Sequence, residues 1–161
     1  KKIWNFLWHS NSIWSFIVDL VLLFLILRFM LFPLVGLILA TSLPLVIIES
    51  QSMEHDGDFD VWFEKYGRWY EDNGIAISEV ENWQWKNGLN QGDIIVVRGL
   101  KNKNYEVGDV IIFRIPSQQT PIIHRIVKAE NSFATKGDHN QGQIDYERQI
   151  LQEQVVGKAI A

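Results

Sequence analysis

The sequence has no cysteine, which excludes disulfides and zinc–thiolate sites and is compatible with life outside the cytoplasm. It has no basic excess either. Its 15 Lys and Arg stand against 19 Asp and Glu, a net charge of −4, so nothing in the balance argues for nucleic acid as a partner. No His-Glu-x-x-His occurs and no two histidines have helical ligand spacing. Both absences count against a metal hydrolase built on His55, His124, His139 and the carboxylates, and no cofactor is implied. Methionine is absent from position 1, where Lys stands, so the sequence reads as a piece of a longer protein.

What is abundant is apolar residues, and they lie mostly before Glu49. From Ile13 to Leu39 the chain is apolar except for Asp19, Arg28 and a few small polar residues. A bilayer core takes about 20 helical residues, so this run is long enough to span with some tilt. It is longer than the core of a cleaved signal peptide and reads as a retained anchor. Lys1 and Lys2 precede it, which predicts a cytoplasmic N terminus and an extracytoplasmic domain after about residue 40. Asp19 and Arg28 are nine residues apart, and at about 100° per residue they face opposite sides of the helix and cannot pair within it. Arg28 either snorkels to an interface or meets a partner subunit in the membrane. Pro33 and Gly36 predict a disturbed helix end, and Pro44 the start of an extended element.

The predicted division is therefore 1–40 for the anchor and 41–161 for an outer β domain carrying an insert at about 56–90. In that insert Trp62, Tyr66, Trp69 and Tyr70 recur at helical spacing and predict an amphipathic helix over 59–72. Its aromatic stripe is either packed on the domain or rests as a foot at the membrane interface. After Gln91 the pattern becomes strand-like. Gly-Asp turns open runs at 94–98 and 110–115, and further strands are expected at 122–129, 132–136 and 155–160. The fold class is mainly β: a small antiparallel β domain with an N-terminal transmembrane helix and a short helical aromatic insert.

The chemistry-bearing residues are Ser50 and Ser52 in Glu49-Ser50-Gln51-Ser52-Met53-Glu54, His124 on the 122–129 strand, and Asp138 and Asp145 beyond it. Each alone has an ordinary explanation as a loop serine, a core histidine or a turn aspartate. Together they offer a hydroxyl nucleophile, a neutral base to activate it, and a carboxylate to orient the base. Ser50 is a candidate oxyanion donor beside the Ser52 backbone N–H.

These residues resemble type I signal peptidases, in particular the archaeal and endoplasmic-reticulum branch. The resemblance rests on the anchor, Ser50-Gln51-Ser52-Met53, the GDIIVV and GDVIIF strands, His124-Arg125-Ile126, Thr135-Lys136-Gly137-Asp138, and Val156-Gly157-Lys158-Ala159. It implies a signal-peptidase-type β domain and membrane-bound removal of signal peptides from secreted preproteins, with cleavage after small residues. Ser52 would be the nucleophile and His124 the general base. Asp145 is the expected orienting residue and Asp138 a supporting one. The implied partners are preprotein signal peptides and the lipid bilayer, in the cell membrane or alternatively that of the endoplasmic reticulum. Gln51 departs from the commoner Gly of that motif, His55 stands where the family often has Pro, and the insert is longer than in compact members. The rival reading is a non-catalytic, membrane-anchored β domain that docks a partner protein through the insert. A serine protease that cleaves itself, as soluble repressors do, is disfavoured by the anchor.

Overall fold

A computed structural model describes residues 12–100 and 104–161. Lys1 and Lys2, on which the expected orientation rests, lie outside the described residues. Contacts divide the chain after Ile38 into two units.

The first unit is helix α1, Ile13–Ile38, whose 26 residues and mean hydropathy of 2.7 suit a membrane span. Ser12 caps it by accepting from the Trp14 N–H. Within α1 the turn Leu27–Leu31 widens to a π-helix, closed by a bond from the Phe32 N–H to the Leu27 carbonyl. The cause is Pro33, which has no N–H for the carbonyl four residues back and whose ring crowds it. Arg28 sits in this widened turn and is exposed.

The second unit is a six-stranded antiparallel sheet with helices against it. Its strands are β1 (Leu45–Ile47), β2 (Ile94–Arg98), β3 (Val110–Phe113), β4 (Ile122–Ala129), β5 (Phe133–Lys136) and β6 (Val155–Ala159). Their spatial order is β1-β2-β6-β3-β4-β5. The edge strand β1 begins directly after Pro44 and pairs Val46 with Ile95. The central strand β3 is buried along its whole length, which is why Val110-Ile111-Ile112-Phe113 does not alternate with polar residues. One apolar cluster joins Ile48, Met53, Ile95, Val97 and Ile112, and another joins Ile111, Phe113, Ile126, Phe133 and Ile150.

Between β1 and β2 lie α2 (Phe59–Asp72) and the short α3 (Ile77–Val80). Helix α2 starts where Asp58 accepts from the Val61 N–H. Its stripe is inward: Trp62, Tyr66 and Tyr70 are at most 4% exposed and form a third cluster with Phe59, Ile75 and Val80. These rings are spent on the domain's own packing, so the stripe is no membrane-interface foot.

Candidate active site

Strand β1 runs into the loop that carries Ser52, and two bonds fix its exit, from Ile48 N–H to the Asp93 carbonyl and from Gly92 N–H to the Ile48 carbonyl. Strand β4 carries His124 opposite Ile111 of β3. The strand's alternation aims His124 to one face and the next residue, Arg125, to the other. Ser52 and His124 meet: the Ser52 Oγ is 3.0 Å from His124 Nε2. The Ser50 and Ser52 hydroxyl oxygens are 3.1 Å apart.

Behind the imidazole lies a carboxylate that the sequence reading missed. His124 Nδ1 is 2.5 Å from Glu147 Oε1, with the oxygen off the axis of the ring N–H, so the contact is a close charge–dipole approach rather than a linear hydrogen bond. Glu147 is fully buried and also accepts from the Ile144 N–H at 2.7 Å and the Gly137 N–H at 3.3 Å. Asp145, the expected orienting residue, points away: its carboxylate is exposed and lies 3.9 Å from Arg148 on the same turn. The physical reason is the 3₁₀ turn Asp145–Glu147: at about three residues per turn, side chains two apart point about 120° from each other, which leaves Glu147 inward and Asp145 outward. Nothing in the spacing of the sequence distinguishes the two carboxylates before that turn is known.

Asp138 does not touch His124 in the structure but anchors a separate buried network. Its Oδ1 accepts from Arg125 Nε at 2.9 Å and from the Tyr70 hydroxyl at 3.1 Å. Its Oδ2 accepts from Arg125 Nη2 at 2.6 Å and lies 3.2 Å from His55 Nε2. Burial works to raise the Asp138 pKa, but the Arg125 guanidinium and the hydrogen bonds from His55 and Arg125 outweigh it and hold the carboxyl well below its usual range. Burial, reinforced by the Asp138 charge, pushes the Tyr70 phenol up against the opposing effect of Arg125. Lys136, on the same side of the sheet as Arg125, stacks its ammonium over Tyr70 and donates to the Gly137 carbonyl. Burial lowers its pKa to about 8, with Asp138 and Glu147 resisting the shift.

Gly137 joins the two networks. A Cβ there would stand 2.7 Å from the Ser52 carbonyl oxygen and 2.9 Å from His124 Nε2, so the turn can lie against the serine loop only with glycine. The closure is completed by a 2.9 Å bond from the His139 N–H to the Ser52 carbonyl. In front of the serine opens a cleft of about 280 Å³, walled by Val46, Glu49, Gln118, Pro121, Ile123 and Tyr146. Among the described residues no group of three or more His, Cys, Asp or Glu could hold a metal ion.

Ser52, His124 and Glu147 thus form a line, a hydroxyl touching one ring nitrogen of an imidazole and a buried carboxylate against the other. Part of the chain is similar to known proteins. The signal peptidase complex catalytic subunit SEC11 of Saccharomyces cerevisiae strain YJM789 is 36% identical over 58 residues, covering 32% of this chain and 34% of that protein. The same identity and coverage hold for SEC11 from strains RM11-1a and JAY291. The match thus spans about a third of the length of these relatives and shows a distant SEC11-type homology for that part. No protein-family model matches the chain, and no solved structure does.

Proposed function

We propose that the protein is a membrane-bound serine endopeptidase that removes signal peptides from secreted preproteins. The observation that carries this reading is the 3.0 Å approach of Ser52 Oγ to His124 Nε2, with Glu147 against the far ring nitrogen. In this mechanism His124 takes the Ser52 proton as the hydroxyl oxygen attacks the scissile carbonyl, giving a tetrahedral intermediate and an imidazolium. The buried Glu147 carboxylate orients the imidazole and stabilises its positive form. The Ser52 N–H and the Ser50 hydroxyl donate to the oxyanion, a donor of this kind contributing about 3–4 kcal/mol of barrier reduction. The imidazolium then protonates the leaving amine, and a water activated by the same histidine releases the acyl-enzyme.

The substrate would lie in the cleft as an extended strand beside β1, whose outer edge is unpaired in the sheet. Cleavage after Ala-like residues would need the cleft to admit only small side chains near the cut. Helix α1 would keep enzyme and preprotein in one membrane plane with the β domain on its extracytoplasmic side, in a cell membrane or in that of the endoplasmic reticulum. A membrane partner subunit facing Arg28 belongs to the same reading. Ser52→Ala and His124→Ala should each abolish cleavage of a labelled preprotein in proteoliposomes. Wild-type cleavage by either variant would remove the basis of the proposal.

A further inference from the structure

We infer that His55 is a positioning residue for the Ser52 nucleophile, acting through the buried Asp138 carboxylate; the inference rests on the peptidase reading above. His55 stands three residues after Ser52, at the far end of the same loop, and its side chain is only 1% exposed. The ring lies flat on Trp62 of α2, with centroids 4.0 Å apart and planes 3° from parallel. Its Nε2 reaches Asp138 Oδ2 at 3.2 Å, while Trp62 Nε1 donates to the Asp138 carbonyl at 3.0 Å. One end of the serine loop is therefore tied by a side chain to the turn whose Gly137 and His139 contact Ser52 and His124.

The loop has further ties, among them the Glu54 carboxylate, which accepts from the Gln91 N–H at 2.9 Å. The Met53 carbonyl accepts from the Leu89 N–H at 2.8 Å, and the Glu54 carbonyl lies 3.2 Å from His139 Nδ1. Gly88 lets the neighbouring loop close down on His55: a Cβ at Gly88 would fall 2.7 Å from His55 Cδ2, and its φ of +77° favours glycine. The contacts of the ring point to one tautomer. His55 Nδ1 is buried with no hydrogen-bond partner among the described residues. A neutral ring protonated on Nε2 gives Asp138 its donor and leaves only a bare lone pair at Nδ1. Besides the ring, the groups on Asp138 are the Arg125 guanidinium and the neutral donor Tyr70, and the Lys136 ammonium also feels its charge.

The test separates donor from packing with two variants in the full chain, reconstituted in proteoliposomes and assayed on a labelled preprotein. H55F keeps a ring on Trp62 and removes the donor; H55Q keeps an N–H near the Nε2 position and removes the ring. The expected result is a kcat reduced by about 10²-fold in H55F with KM unchanged, and most of that loss recovered in H55Q, because small misplacements of a nucleophile carry costs of this size. Wild-type kcat in H55F, or an H55Q as slow as H55F, would overturn the inference. In the unmutated protein the ¹⁵N shifts of His55 should show Nε2 protonated and Nδ1 bare. The opposite tautomer would overturn it too, even if H55F fails to fold. The peptidase reading fails separately, through a wild-type protein that cleaves no preprotein. The His124 ring ¹⁵N shifts then still report on His55, moving in H55F and staying in H55Q if it positions Ser52.

Discussion

At the scale of single residues, the proposal with the most consequence is that Glu147 takes the orienting role expected of Asp145. Both are acids on one short turn, but only Glu147 is buried and within 2.5 Å of His124 Nδ1. Glu147→Gln should keep the shape of the site and lower kcat by about 10³–10⁴-fold, because an amide removes the charge that stabilises the imidazolium and can reverse the ring's tautomer. Asp145→Asn should leave the rate unchanged. Steady-state cleavage of one preprotein by both variants decides between them, and the reverse pattern would return the role to Asp145. The serine, the histidine and the glycine-containing turn were legible in the sequence because each sits in a run of recognisable residues. The identity of the carboxylate was not, since it depends on which side chain a three-residue turn rotates inward.

At the scale of elements, helix α2 was legible to its ends, 59–72, from aromatic spacing alone. Its destination was less so: the sequence pattern leaves a membrane-facing stripe as an alternative to a buried one. What decides is Asp138, which draws Tyr70, the Trp62 indole and Arg125 to one point beneath the helix. The network makes a prediction about acid stability. The folded-state pKa of Asp138 lies below its unfolded value, so its stabilisation is fully present above the ordinary carboxylate range and is lost as pH falls below it. Asp138→Asn leaves the Arg125 guanidinium buried without its counter-charge and should cost about 3–5 kcal/mol at neutral pH. The gap between variant and parent should narrow as pH drops below about 4. Denaturant unfolding in detergent, followed by tryptophan fluorescence across that range, measures both effects. A gap that stays constant with pH would mean that Asp138 acts by packing rather than by charge.

At the scale of the whole molecule, the chain falls into two units, Lys1–Ile38 and Leu39–Ala161. Every group named in the candidate site belongs to Leu39–Ala161, whereas the run of membrane-spanning length is confined to α1. A protein of residues 39–161 should therefore cleave a short soluble peptide in detergent at a rate near that of the full chain. On a preprotein held in vesicles it should be slower by about 10²-fold or more, because it loses the effective concentration conferred by a shared membrane plane. Equal rates of the two proteins on the vesicle substrate would show that the anchor contributes nothing to the encounter. The apolar length of α1 was plain in the sequence. Its π turn was less so, because a proline announces a disturbed helix without saying whether the chain will bend or widen.

The adjacency of His124 and Arg125 also governs how strand β4 can assemble. A slip of one residue would exchange the two faces, carrying a guanidinium to the serine hydroxyl and an imidazole into the grip of Asp138. The guanidinium would crowd the Ser52 hydroxyl, and the shorter imidazole would leave the Gln84, Gly108 and Trp85 carbonyls without the donors that Arg125 gives them, which penalises the slipped pairing. The site thus guards its own strand alignment: the dipeptide that serves two networks also rejects the sheets in which neither could form.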